Sequence, residues 1–209
     1  RMDAGAVGSL VADYPLQITP PNDAGLMNTL SSLMSHCSYG NAFFQDMIHS
    51  GINIYLTLAM AQTFLRSRDT RYRDLITTVA DLASPTGQWP EAINPLTGGG
   101  CMGDGQHGWA AAEWIMMMRN LFIREEGDIL ILGSGVFPEW LEQNVPLSFG
   151  PTLVPGGAVI VTFIPSDNGL ELVLEASVRG RPISCRAAVP GYRPRHLDTS
   201  RGGCFLEPA

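Results

Sequence analysis

Trp89-Pro90-Glu91-Ala92-Ile93-Asn94-Pro95-Leu96-Thr97-Gly98, with Asp104-Gly105-Gln106-His107-Gly108-Trp109 just behind it, is a long loop that opens straight into a very apolar helix. One carboxylate, Glu91, stands there among aromatics, prolines and glycines. The loop decides the fold because the helices on its two sides differ in kind. Upstream, Tyr72, Leu75, Ile76, Val79 and Leu82 recur at helical spacing, one apolar stripe of a helix expected over 70–83 with Asp69 or Thr70 as its cap. Downstream, Trp109-Ala-Ala-Ala-Glu-Trp-Ile-Met-Met-Met belongs to a helix expected over 106–122 that is apolar nearly all round, the mark of burial on most sides.

The same alternation occurs once before. Leu26, Met27, Leu30, Leu33 and Met34 mark an amphipathic helix over 24–35, with Asn22 or Asp23 to cap it. A loop over 35–49 then leads into a second all-round apolar helix over 50–66, and Arg66-Ser67-Arg68 makes a tight connection to the next. Outer and inner helices therefore alternate, as two α-hairpins of a layered array. Both long loops run from an outer helix to an inner one, so they lie at the same end, where a rigid scaffold presents its sites. Residues 1–21, punctuated by Gly5, Gly8, Pro15, Pro20 and Pro21, read as irregular chain.

Beyond residue 126 the character changes. Ala158–Ile164, Leu170–Val178 and Pro182–Val189 alternate as strands do, and Asp167-Asn168-Gly169 and Arg179-Gly180-Arg181-Pro182 are turn material between them. Antiparallel hairpins in a small β-sandwich are expected. The fold class is thus α+β, with a helical region over 1–126 and an antiparallel β domain over 127–209. Two all-round apolar helices need more neighbours than four helices supply. The expectation is a C-terminal piece of a larger helical ring, or a core completed by self-association.

Composition narrows the partners. The net charge is −7, there is no Lys, and residues 1–149 carry 7 Arg against 15 Asp and Glu. An acidic first part with no basic stripe argues against nucleic acid and against anionic membranes. The chain begins Arg1-Met2-Asp3 with no secretory signal in view, which leaves the compartment open, the cytoplasm being preferred. Cys37, Cys101, Cys185 and Cys204 form no CxxC, so buried free thiols are expected rather than a zinc site, and no metal or cofactor is expected.

The two loops hold Asp46, His49, Glu91, Asp104 and His107, with Trp89, Tyr39, Gln106 and Trp109 nearby. Sugar rings stack on aromatic faces while a carboxylate works at the anomeric carbon, and Glu91 near Trp89 fits that chemistry. A carboxylate that only shapes its turn is the competing reading. Asp104 and Gln106 are candidate caps of the following helix, His107 a hydroxyl donor or a satisfied helix end, and Asp46 and His49 pocket residues or caps. Gly98-Gly99-Gly100-Cys101-Met102-Gly103 matches GxGxxG literally. It follows no strand and is followed by Asp104, so a dinucleotide site is rejected, and the glycines are read as letting the loop fold closely over the site.

Glu91-Ala-Ile-Asn-Pro-Leu-Thr-Gly98 followed by Gly108-Trp109-Ala-Ala-Ala resembles the motif late in the (α/α)6 toroid of the six-hairpin glycosidases, in particular the α-glucosidase I and mannosylglycerate hydrolase type. Gly51-Ile52-Asn53-Ile54-Tyr55-Leu56 resembles the inner-helix start one hairpin earlier, and the β-rich tail is similar to the small β-domain of rhamnosidase-like relatives. The resemblance implies the last two α-hairpins of a toroid followed by a small antiparallel β-sandwich-like domain. It implies Glu91 as general base of an inverting glycoside hydrolysis, with the general acid outside this chain. Trp89, Asp46, His49, Gln106, His107 and Trp109 are then the expected substrate-binding residues. The partners expected are a carbohydrate substrate and either the missing N-terminal part of the toroid or a second copy. Two departures stand out: Ile93 replaces the aromatic usual there, and Asp46-Met-Ile-His49-Ser-Gly51 replaces a Trp-rich segment. A polysaccharide lyase would need a Tyr or His base and a group to neutralise a uronate, and no Arg or Lys lies in the two loops. A non-catalytic carbohydrate-binding or structural piece is the third reading.

Overall fold

The computed structural model describes residues 2–47, 50–179, 183–198 and 202–209. The chain is mixed α and β, and it divides into two compact units, Arg1–Met117 and Met118–Ala209.

In the first unit, α1 (Met2–Gly8) and a 3-10 turn (Ser9–Ala12) precede α2 (Ala24–His36). The helix α1 falls where irregular chain is expected, since two glycines in seven residues mask its helical character. Asp23 starts α2 by accepting the Leu26 N–H at 3.0 Å. The two-residue β1 (Ser38–Tyr39) pairs with β2 (Ala42–Gln45), which pairs with β3 (Gly51–Asn53). Asn53 then caps α3 (Ile54–Arg66), its side chain accepting the Leu56 N–H at 3.0 Å. Thr57, one turn into α3, donates to the Asn53 carbonyl and accepts the Phe43 N–H at 3.0 Å, tying the helix to β2 through buried atoms.

Helix α3 packs against α4 (Tyr72–Asp81), whose buried residues are the expected stripe Tyr72, Leu75, Ile76 and Val79. Asp69 accepts the Arg71 N–H ahead of α4 and also pairs with the Arg71 guanidinium, which lies 4.3 Å over the Phe64 ring. At the end of α3, Arg66 is buried against Asp13 at 2.5 Å and donates to the Thr19 carbonyl at 2.9 Å. That ion pair holds the segment after the 3-10 turn onto α3.

The loop after α4 contributes β4 (Ala92–Ile93) and β5 (Gly100–Met102) before α5 (Gly108–Phe122). Here the structure adds what sequence alone does not show. Strands β3 and β4 pair antiparallel, Ile52 with Ile93 and Asn53 with Ala92, so the two long loops join in one five-stranded sheet ordered β1-β2-β3-β4-β5. The approach is close enough that a Cβ at Gly51 would meet Cys101 Sγ at 2.7 Å and the Ile93 carbonyl at 2.8 Å. Helix α5 corrects a second expectation. It is apolar nearly all round yet leaves Trp109, Ile115 and Met116 exposed.

In the second unit, β6 (Ile123–Glu126), β7 (Ile129–Leu132) and the short α6 (Pro138–Leu141) precede β8 (Leu147–Val154), β9 (Gly157–Ser166) and β10 (Gly169–Val178). The chain ends in β11 (Ser184–Ala187), β12 (Arg195–Asp198) and β13 (Gly203–Leu206). The β9–β10 hairpin turns at Asp167-Asn168 as expected. The second expected hairpin does not form. Strand β11 leaves β10 and pairs in parallel with β7, giving two sheets ordered β13-β10-β9-β8 and β12-β11-β7-β6. Val159, Val161 and Phe163 of β9 and Leu170, Leu172 and Leu174 of β10 alternate into the core. Gly133 lies so near Phe163 and Val189 that a Cβ there would sit 2.7 Å from each. Of the four free cysteines only Cys185 is buried; Cys37, Cys101 and Cys204 are half-buried. Among the described residues no helix is long and apolar enough to cross a membrane.

Candidate functional site

The Glu91 loop is held by its own backbone. Asn94 Oδ1 accepts the Leu96 N–H at 2.9 Å and the Thr97 N–H at 3.2 Å, while the Asn94 N–H reaches the Gly99 carbonyl at 2.8 Å. Gly98 closes the turn at φ 69°, in the left-handed region glycine tolerates, and donates back to the Asn94 carbonyl at 2.9 Å. Asn-Pro-Leu-Thr-Gly is therefore a self-contained turn, with Leu96 out in solvent at its tip. At the base of the loop the His107 N–H donates to the Trp89 carbonyl at 2.8 Å, which brings Glu91 and His107 to the same end of α5.

The Glu91 side chain is 27% exposed, and its Oε2 lies 4.0 Å from His107 Nε2. The glycine-rich return closes over it. Gly103 has φ 71°, and a Cβ there would stand 3.1 Å from Glu91 Cβ and 3.5 Å from its Oε2. His107 Nδ1 is buried and has no hydrogen-bond partner among the described residues. Beside His107 lies Tyr55, in the first turn of α3, with ring centroids 5.4 Å apart. Tyr55 in turn stacks on Trp109 at 4.1 Å and 18°. Burial pushes the Tyr55 phenol above its ordinary pKa; the Asn53 side chain pulls the other way, and the Glu91 charge adds to the rise.

One turn on, Trp109 Nε1 donates to Glu113 Oε1 at 3.3 Å. Burial raises the Glu113 carboxyl above its usual range, an effect that the indole N–H partly offsets.

The structure thus brings Glu91, His107 and Trp109 together and adds Tyr55 and Glu113. Trp89 is corrected to a scaffold role. It is 3% exposed, donates its indole N–H to the Val79 carbonyl at 2.9 Å, and lies against Trp114, so its face is closed to a sugar ring. Trp109, 57% exposed, presents the open aromatic face instead. Asp46 is exposed and accepts the Ser50 hydroxyl at 3.3 Å; it does not cap α3, a task Asn53 performs. Gln106 is exposed, and Asp104 accepts its backbone N–H at 3.0 Å in a turn ahead of α5. His49 lies outside the described residues. Sequence reasoning passed over Tyr55 and Glu113 because each sits in an apolar helix. The signals available were the Asn53 cap two residues before Tyr55 and the four-residue spacing of Trp109 and Glu113.

No family model matches the chain. No curated protein matches it either. Among solved structures it is similar to a glycosidase, as wild type and as two single-substitution variants, at 19% identity and a TM-score of 0.37. Each match covers 49% of this chain and 27% of that one, so this chain spans well under two thirds of the glycosidase's length.

Proposed function

We propose that this chain is part of a glycoside hydrolase of the six-hairpin type, and that Glu91 is the general base of an inverting hydrolysis. The observation that supports this reading best is the carboxylate of Glu91, open to solvent at one edge and set 4.0 Å from His107 beside the Tyr55–Trp109 stack. In such a reaction Glu91 takes a proton from water as that water attacks the anomeric carbon, and an acid on the opposite face protonates the departing oxygen. The two carboxyl groups stand about 6.5–9.5 Å apart to leave room for the water. His107, with one ring nitrogen near Glu91, orients the carboxylate or donates to a sugar hydroxyl. The exposed face of Trp109 is a stacking surface for a pyranose ring.

The acid is assigned to sequence outside this chain. So is the cover for the exposed side of α5, where further toroid helices, or a second copy of the chain, would lie on Ile115 and Met116. The 209 residues alone are then expected to be inactive. The test is Glu91→Gln in the protein produced with its upstream coding sequence. Turnover should be abolished with thermal stability unchanged, and retained turnover overturns the assignment. Glycan binding that persists in a protein with no turnover before the substitution would favour the non-catalytic carbohydrate-binding reading.

A further inference from the structure

A cavity of about 350 Å³ opens beside the Tyr55–Trp109 stack, lined by residues of α1, the 3-10 turn, α3 and α5. Val7, Val11 and Leu56 belong to its apolar lining and Tyr14, Tyr55 and Trp109 to its aromatic lining, and Glu113 is the one carboxyl residue among the described lining residues. Glu91 and His107 do not line it, although Tyr55 and Trp109 are common to both places. We propose that this cavity is a binding site for an organic ammonium ion with an apolar body, held between the carboxylate of Glu113 and the rings of Tyr55 and Trp109.

Charge selects the class of ligand. No Arg, Lys or His is among the described lining residues, and among the described residues no ion pair involves Glu113. Its only hydrogen-bond donor there is the neutral indole N–H of Trp109, at 3.3 Å. Burial therefore leaves the negative form of Glu113 under-compensated, which the upward displacement of its pKa also reflects. A cation seated against it restores the missing charge. Aromatic faces attract the same cation through their quadrupoles, and a desolvated setting strengthens that attraction. An anion meets a carboxylate with no cation beside it among the described lining residues. A bare inorganic cation would lose its water to a mostly apolar lining without the oxygen ligands that replace it. A compact ammonium with hydrocarbon substituents matches both the wall and the charge, and the volume falls in the range of small-molecule sites.

The proposal does not depend on the hydrolase reading, and the experiment separates the two. The 209-residue chain is titrated with phenyltrimethylammonium, whose charge is permanent, and with its uncharged isostere tert-butylbenzene. The Trp109 indole resonance reports occupancy. The cation should bind about tenfold more tightly than the isostere, as a partly desolvated cation–π and carboxylate site implies. Glu113→Gln should remove that preference, and Glu91→Gln should leave it intact. Equal binding of the two probes in the parent chain overturns the proposal, as does absence of binding at millimolar cation. A preference that survives Glu113→Gln, or that is lost with Glu91→Gln, also overturns it. The comparison of probes in the parent chain holds even if a variant fails to fold.

Discussion

Helix α3 buries ten of its thirteen residues, and helix α5, of similar apolar character, leaves Trp109, Ile115 and Met116 in solvent. Both follow an antiparallel strand of the same small sheet, β3 in one case and β5 in the other. What separates them is the neighbours that reach them. α3 is contacted by α4, by α1 with its 3-10 turn, and by β2. On α5 the exposed side chains include Trp109, which stacks on Tyr55 and lines the same cavity as Glu113. A helix with one face uncovered is thus where several of the candidate residues gather. The deeper burial of α3 makes it the stable reference against which that face is presented.

This contrast has measurable consequences. The largest is at the buried end of α3. Arg66→Ala strands Asp13 without its guanidinium, and chemical denaturation should show a loss of about 3–5 kcal/mol. A loss under 1 kcal/mol would mean that the pair does not anchor α3. Next, Leu58→Ala on α3 should cost about 2–5 kcal/mol, as a large-to-small change in a packed core does. The matching change on α5, Ile115→Ala, should stay within about 0.5 kcal/mol. A large cost at Ile115, accompanied by a concentration-dependent Tm, would show that a second copy covers α5 and would erase the contrast.

A smaller effect is expected in the loop leading to α5. Gly103→Ala puts a Cβ at positive φ against Glu91 and should cost about 1 kcal/mol, read as a shifted denaturation midpoint. The smallest concerns pH. Burial raises the Glu113 pKa, so the folded chain keeps this proton to higher pH than the unfolded chain. The linked stability is complete below the ordinary carboxyl range and is lost as pH rises through the raised value. Glu113 is partly exposed, so solvent screening keeps the loss modest. Glu113→Gln should abolish it, and the difference in Tm between variant and parent should grow from acid to neutral pH. A constant difference would remove Glu113 from the set of strained groups on α5.

Much of this arrangement was legible in residues near one another in the chain. The cap Asp23, the stripe Tyr72–Val79 and the turn at Asp167-Asn168 follow from local hydrogen bonding and local periodicity. The closeness of the two long loops followed from the outer-inner alternation of the helices, and the pairing of Ile52 with Ile93 agrees with it. Three features were not legible. Strands of two to four residues, such as β1 and β4, are too short for a period to declare itself. The choice of β7 rather than β10 as the partner of β11 depends on which sheet edge lies open, a fact no local window contains. The opposite fates of Trp89 and Trp109 turn on which neighbour reaches each ring, since both are aromatic residues near the same carboxylate.

The sequence by itself determined the positions of α2, α3, α4 and α5 to within a few residues, where one long loop must hold Glu91, and that this loop shares an end with the 35–49 segment. Periodicity, caps and glycine or proline punctuation are properties of short stretches, so they survive without the rest of the molecule. Only the tertiary structure decided that Trp109 rather than Trp89 offers an open face, and that Tyr55 stands between it and His107. It also decided that Glu113 lines a largely apolar cavity. Exposure and charge compensation belong to neighbours brought in from distant chain, and a side chain acquires them only when the packing is complete.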